Sequence, residues 1–314
     1  MPIEDKIQSN IDLSKHSTFR IGGRAKFFVE IKNKDDLLES LDWAERNNEK
    51  FYILAGGSNV LINDKGVDGL VLKFANNDIN IRSERIDCGA GTNLIQTARM
   101  SAGNSLAGLE WAAGIPGTVG GAIRGNAGAY DSSMSEAVET VEVFDQKSRR
   151  FVIFSNRDCA FAYRTSVFKE NNNLIIWSAV LKLSKGSHSE IERLIEKYLI
   201  SREKSQPKLP SAGSIFKNFK IEDLRIESNS VAKWAEEEGA VKNGLLASGW
   251  IIDKLGFKGK TMGGVKVSLE HANFIVNTGN GKAEEVVILI SYIKQQARTR
   301  FKIKLNEEIQ YFGF

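Results

Sequence analysis

Half of the glycines of this 314-residue chain, 14 of 28, fall in the 73 residues from Gly56 to Gly128. Six of them (Gly114, Gly117, Gly120, Gly121, Gly125 and Gly128) sit within 15 residues. Glycine weakens helices and strands and is used where backbone bends sharply or approaches something closely. The density therefore excludes an ordinary run of helices and strands in this region. Two readings remain: backbone laid against a ligand, for which phosphate is the usual reason, or a tight corner between helices. A second Gly-rich loop, Gly56-Gly57-Ser58-Asn59, favours the ligand.

The remaining composition narrows the class. About two domains fit in this length, and 42% hydrophobic residues can fill their cores. Charged residues make up 26% and the net charge is only +4, which argues against disorder and gives no strong case for nucleic acid. Cys88 and Cys159, the 2 cysteines, cannot build a disulfide framework and point to a reducing compartment. Met1 to Asp12 carries acids and amides where a secretory signal needs a basic start and an apolar run. No apolar stretch reaches the roughly 20 residues that span a bilayer. A soluble cytoplasmic protein with no membrane partner is expected.

Periodicity predicts a mixed chain. Strands are expected at Ala25–Ile31, Phe51–Ala55, Val60–Ile62 and Leu70–Lys73, with a hairpin over Ile79–Cys88. Asp35–Asn47 reads as a helix with Leu37, Leu38, Leu41 and Ala44 on one face, and Thr92 as the N-cap of a helix through Met100. Further strands follow at Val138–Asp145, Phe151–Phe154 and Leu174–Leu183, then a helix at Ser189–Ser201. Gln206-Pro207 and Leu209-Pro210 mark a linker and a domain boundary. Beyond it, helices are expected at Val231–Glu238, Trp250–Leu255 and Glu284–Arg300, with strands at Asn273–Asn277 and Leu305–Phe312.

Several familiar chemistries are excluded. Gly89-Ala90-Gly91-Thr92-Asn93-Leu94 begins like a dinucleotide fingerprint, but Leu94 stands where the third glycine is needed. Gly259-Lys260-Thr261 ends like a P-loop, yet the earlier glycine is Lys254. In Gly56-Gly57-Ser58-Asn59-Val60, Val60 replaces the last glycine of a nucleophile elbow. The three histidines, His16, His188 and His271, are far apart, so no metal site is expected.

Taken together the glycine loops become recognisable. Gly108-Leu109-Glu110, then Gly114-Ile115-Pro116-Gly117-Thr118-Val119-Gly120-Gly121-Ala122, then Asn126-Ala127-Gly128-Ala129-Tyr130 closely resemble the UDP-N-acetylenolpyruvoylglucosamine reductase family. Thr18-Phe19-Arg20-Ile21-Gly22-Gly23, Tyr163-Arg164-Thr165-Ser166, Ser211-Ala212-Gly213-Ser214-Ile215-Phe216-Lys217-Asn218 and His271-Ala272-Asn273-Phe274 look like its signatures too, and in its order. The resemblance runs from about residue 13 to the C-terminus.

It implies an FAD-binding fold of the vanillyl-alcohol-oxidase (PCMH) type, two α+β subdomains, followed by a C-terminal α+β substrate-binding domain. The expected division is 1–74, completed by a C-terminal strand at about 302–314, then 75–205, then 206–301. It also implies NADPH-driven, FAD-mediated reduction of UDP-N-acetylglucosamine enolpyruvate to UDP-N-acetylmuramate in peptidoglycan synthesis. The short connection from Arg164 to Pro207 is similar to the family's second type, which lacks an extra loop over the substrate.

Residue roles follow from that resemblance combined with chemistry. Ala55, Gly56, Gly57, Ser58 and Asn59, with Gly114, Ile115, Pro116, Gly117, Thr118 and Gly120, are expected to meet FAD, their backbone N–H groups facing its pyrophosphate. Asn59 and Asn126 suit either cofactor hydrogen bonds or structural turns. With no histidine in these loops, FAD is expected to be held non-covalently. Arg164 is expected to clamp the developing enolate bidentately, and Glu308, if its site keeps it protonated, to hydrogen-bond the same group. Ser214 is the expected proton donor to the α-carbon. Tyr163, Lys217 and Asn218 are expected at the UDP-sugar substrate. A monomer is expected.

Three departures stand out. Phe219 replaces the proline usual after Lys-Asn, and a Glu- and Lys-rich stretch runs from Phe219 to about Leu246, read as a solvated surface element or a lid. Ala55 and Ser17 replace a common glycine and threonine. Two rivals are another flavin-dependent oxidoreductase of the same superfamily, and a flavin-binding module without catalysis. The first should lack the Ser214, Lys217 and Asn218 set. The second should have lost Arg164, Ser214 or Glu308.

Overall fold

The computed structural model describes residues 1–314. The chain is α+β and divides into two compact units. The first holds Met1–Ser9, Phe27–Gly56 and Gly69–Arg202, and the second Asn10–Lys26, Gly57–Asp68 and Glu203–Phe314. No helix is long and apolar enough to cross a membrane.

The first unit is built on a five-stranded antiparallel sheet in the order Arg150–Ser155, Val138–Asp145, Leu174–Lys182, Arg85–Gly89, Ile79–Arg82. β-Branched and aromatic residues on its strands, Val141, Val143, Phe144 and Ile175, are buried with Leu181 in one core with Ala98, Ile123, Ile191 and Ile195 from helices. Helix Lys34–Arg46 starts where the Asn33 side chain accepts from Asp36 N at 2.8 Å, and it buries Leu37, Leu41 and Ala44. Phe51–Leu54 pairs in parallel with the strand through Leu70–Lys73 and delivers the chain to Ala55 and Gly56.

Helix Leu94–Gly103 begins one residue later than expected. Asn93 is its N-cap, accepting from Gln96 N at 3.0 Å, while the Thr92 hydroxyl donates to Asp78 O at 3.1 Å. A second helix, Val119–Gly125, is hidden within the glycine cluster. Both thiols are free and buried, and burial pushes Cys88 and Cys159 up to about 12.

The second unit has a four-stranded antiparallel sheet in the order Ser211–Ser214, Phe274–Asn277, Val265–Val267, Thr261–Met262. Helix Ala283–Gln296 is shorter than expected, ending in a π turn over Ala297–Phe301 that the left-handed Lys302 (φ +61°) terminates. The expected last strand is regular only at Gln310–Phe312, which pairs in parallel with Val60–Ile62.

The 219–246 stretch is not a merely solvated element. It forms helices Ile221–Glu227 and Asn229–Glu237 and a small three-stranded sheet, and Phe219, Leu224, Val231, Ala232, Ala235 and Leu246 are buried in the second core. Its charges occupy the outer face of amphipathic helices, which misled a reading by composition. Leu224 is 0% exposed, so Leu224→Ala is expected to cost about 2–5 kcal/mol. Urea unfolding tests this; a change within about 0.5 kcal/mol would restore the surface reading.

Candidate active site

In the first unit, bare backbone meets bare backbone at the glycine loops. A Cβ on Gly56 would lie 2.6 Å from Gly117 Cα, and one on Gly121 would lie 3.4 Å from Ala55 Cβ. A side chain at Gly56 would have to move the main chain of Gly117, whereas at Gly121 a Cβ would stand at ordinary contact with the Ala55 methyl. Lys73, whose ammonium burial pushes to lower pKa, donates to Ala55 O and fixes the strand end. Such a side-chain-free cradle fits the phosphates of a dinucleotide.

Two details change the expected roles. Gly120 N donates to Ala90 O at 2.9 Å, and a Cβ at Gly120 would meet Ala90 Cβ at 2.7 Å. That glycine lets the helix approach the chain at Ala90, and its N–H is already used. Asn126 is left-handed (φ +42°) as the C-cap of helix Val119–Gly125. Its side chain donates to Ala162 O at 3.0 Å and accepts from Ser135 N at 3.0 Å. The turn role is the one its side chain fills.

Tyr163 and Arg164 form the tip of a tight turn in the same unit, closed by hydrogen bonds of 3.1 and 3.2 Å between Ala162 and Thr165. Arg164 has φ +56°, a conformation that usually calls for glycine. Holding an arginine there costs on the order of 1–3 kcal/mol, the kind of strain concentrated at functional positions. One guanidinium nitrogen donates to Gly128 O at 2.9 Å, Lys169 Nζ donates to Arg164 O at 3.0 Å, and the guanidinium lies 5.4 Å from the centre of the Tyr163 ring. Tyr163 is 38% exposed.

In the second unit, Gly57 is left-handed (φ +65°), and a Cβ there would lie 2.0 Å from His16 O. Thr18 N donates to Gly57 O at 3.1 Å while the Thr18 hydroxyl donates to Ser211 O at 2.8 Å, so one threonine ties the loop to the serine strand. Asn59 Nδ2 donates to Glu308 O at 3.1 Å and Asn59 O accepts from Gln310 N at 2.9 Å. Asn59 is thereby a tie to the C-terminal segment.

Ser214 follows a β-bulge. Ser211 pairs with Val276 and Ser214 with Phe274, so Ala212 and Gly213 together oppose the single residue Ile275. Gly213, at φ +77°, supplies the left-handed turn of that bulge. Past it the strand is gripped on a second edge: Glu308 N donates to Ile215 O at 2.7 Å and Lys217 N to Asn306 O at 2.8 Å. The structure thus brings Ser214, Lys217 and Glu308 onto neighbouring segments, while Tyr163 and Arg164 belong to the first unit. Glu307 pairs with Lys294 at 2.5 Å and hydrogen-bonds Tyr311, whose phenol is held above its usual range by burial first and by that carboxylate second. Glu307 is therefore accounted for structurally.

Ser248 was missed by sequence reasoning. Fully buried at the start of helix Ser248–Lys254, its N–H donates to Asn218 Oδ1 at 3.1 Å and its hydroxyl to Lys217 O. The small-residue run Ala247-Ser248-Gly249 was the available signal.

His271 Nδ1 accepts from Asn273 N at 3.2 Å, and its pKa is lowered by burial and then by Lys258. A depressed histidine favours the neutral form in the fold. Its contribution is complete above the unfolded value of about 6.5 and is lost as pH falls from there through the folded pKa. Melting temperature is expected to fall as pH drops below about 6.5, and His271→Gln should flatten the slope. An unchanged slope would remove His271 from the account.

A sequence model described as FAD binding domain matches residues 25–152, and one described as UDP-N-acetylenolpyruvoylglucosamine reductase, C-terminal domain, matches residues 206–312. The chain is 37% identical over 308 residues to the UDP-N-acetylenolpyruvoylglucosamine reductase of Solibacter usitatus, covering 98% of this chain and 97% of that one. It is 34% identical over 311 residues to that of Anoxybacillus flavithermus, covering 98% and 94%. The crystal structure of the Thermus caldophilus reductase matches with a TM-score of 0.78 at 28% identity, over 98% of each chain.

Proposed function

The chain belongs to the UDP-N-acetylenolpyruvoylglucosamine reductase family, and we propose that Arg164, Ser214 and Glu308 carry its reaction. The reaction is the FAD-dependent, NADPH-driven reduction of UDP-N-acetylglucosamine enolpyruvate to UDP-N-acetylmuramate, a step of peptidoglycan synthesis. Ala55, Gly56, Gly57, Ser58, Gly114, Ile115, Pro116, Gly117 and Thr118 are assigned to the cofactor, most of them through backbone, while Gly120, Asn59 and Asn126 are assigned to shaping these loops, since their polar groups are used within the fold. Tyr163, Lys217 and Asn218 are assigned to the substrate. The three-part division at residues 74, 205 and 301, a monomeric state and a cytoplasmic setting complete the proposal; the two free, buried thiols support the last.

When bound, FAD accepts hydride from NADPH and supplies it to the β-carbon of the enol ether. The protein's task is the charge this leaves on the carboxyl side of the substrate. Arg164 offers a permanently charged, planar pair of donors to that enolate. Glu308, in its protonated form, adds a further hydrogen bond to the same oxygen system. Ser214 Oγ–H gives its proton to the α-carbon, and the resulting alkoxide recovers one from water. Two electrons and two protons are then accounted for: hydride at the β-carbon, a proton at the α-carbon. Lys217 acts as a point charge toward the diphosphate or carboxylate.

One observation carries this reading. Ser214 and Glu308, distant in sequence, are brought onto neighbouring segments by the bond from Glu308 N to Ile215 O, with a bulge at Ala212–Gly213 immediately before the serine. An anaerobic spectral cycle tests the reaction. NADPH is expected to bleach the flavin bands, and the enolpyruvyl substrate to restore them. Bleaching without recovery would assign a different acceptor; a protein that never takes up flavin would overturn the reading.

A further inference from the structure

The His271-Ala272-Asn273-Phe274 segment has no part in the chemistry above, yet Asn273 is 2% exposed and both ends of its side-chain amide are engaged. Its Oδ1 accepts from Phe216 N at 2.9 Å and its Nδ2 donates to Phe216 O at 2.8 Å. Its own carbonyl accepts from Ile215 N at 2.8 Å. A carboxamide presents a C=O and an N–H in one plane, as a peptide group does. Here it continues the ladder one residue beyond the end of strand Phe274–Asn277. Three hydrogen bonds from one residue fix the two residues that follow Ser214.

The opposite edge of the same segment is held by Glu308 N on Ile215 O. Asn273, Ile215 and Glu308 thus form one continuous row of hydrogen bonds. On the upstream side, the bulge at Ala212–Gly213 interrupts the ladder, and Gly213, at positive φ with nothing packed on its open face, adds no side-chain contact there. Rigidity downstream must set the direction of the Ser214 side chain.

Resting on the assignment of Ser214 as proton donor, we propose that Asn273 is a positioning residue that aims Ser214 at the α-carbon and registers it against Glu308. Aspartate keeps the acceptor toward Phe216 N but loses the donor toward Phe216 O. Leucine, of similar volume, loses both. The graded expectation is that Asn273→Asp and Asn273→Leu slow substrate-dependent reoxidation of the flavin at least tenfold, leucine more, while reduction by NADPH keeps its wild-type rate. The solvent deuterium isotope effect on reoxidation should rise, because proton transfer becomes more limiting. A merely structural role would not move that effect.

Both half-reactions and the melting temperature are measured for each variant, with Ser214→Ala alongside. If Ser214→Ala reoxidises normally, the serine assignment fails, and this proposal with it. If Ser214→Ala is impaired but both Asn273 variants reoxidise at the wild-type rate, the positioning role alone is overturned. It is also overturned if both half-reactions slow in proportion, or if neither variant folds, since Asn273 would then be structural.

Discussion

Ser214→Ala is expected to leave NADPH reduction of the flavin intact and to lower the product-forming step by about 10²–10⁴-fold, the usual contribution of a positioned general acid. The split arises because the serine hydroxyl has no part in hydride entry. It acts only once negative charge has developed on the substrate, and an α-carbon at that stage is basic enough to take a proton from an alcohol. The bulge at Ala212–Gly213 breaks the regular ladder immediately before Ser214. Ser214→Cys provides the graded control: a thiol, with an ordinary pKa of about 8.5, can still donate a proton and should restore part of the rate. Stopped-flow spectra under anaerobic conditions separate the two half-reactions. Normal reoxidation by the alanine variant would sink the assignment, and loss of both phases together would show damage to the cofactor site instead.

The elements that were legible in the sequence are those whose signal is local. Val138–Asp145 and Val60–Ile62 have the expected bounds: alternating valines mark the first, and the second lies between Gly56-Gly57-Ser58-Asn59 and the turn residues Asn63-Asp64. Helix Val119–Gly125 was invisible because three of its seven residues are glycine. It exists through packing, with Gly120 admitting Ala90 at a distance no other residue allows. The 219–246 stretch failed differently. Leu224, Val231 and Ala235 mark helical stripes, but the intervening charges dominated the composition.

The site shows the same contrast. Arg164, Ser214 and Glu308 are proposed from motifs, whereas the contacts that hold them carry no motif. The left-handed backbone at Arg164 has no local mark, since neither neighbour is glycine. Asn273 lies 57 residues from Phe216, and no periodicity connects them. Asn126 and Asn59 were ambiguous because an asparagine that binds a ligand and one that closes a turn look identical until their partners are seen.

Gly56→Ala is expected to produce a folded protein that retains little or no flavin. Unlike Gly57, Gly56 does not have a left-handed φ, so alanine brings no backbone strain of its own. What it brings is volume in the wrong place. The new methyl would lie 2.6 Å from Gly117 Cα, 3.0 Å from Gly117 C and 3.2 Å from Thr118 N. All three are main-chain atoms, which cannot swing aside as a side chain does, so the two loops must part. Overpacking of this kind typically costs about 1–3 kcal/mol. Spent on the cradle rather than on the sheet, it weakens cofactor binding by roughly 5–150-fold, at 1.4 kcal/mol per decade. Gly125→Ala is the matched control: it ends the neighbouring helix, has no positive φ, and nothing lies within 4 Å of its added methyl. It should bind FAD normally and unfold no more easily than the parent, because alanine is the better helix former. The ratio of flavin to protein absorbance, with fluorescence titration of added FAD, distinguishes the pair. Wild-type flavin content in Gly56→Ala would show that the loops open without cost and that the contact between them does not shape the cofactor site.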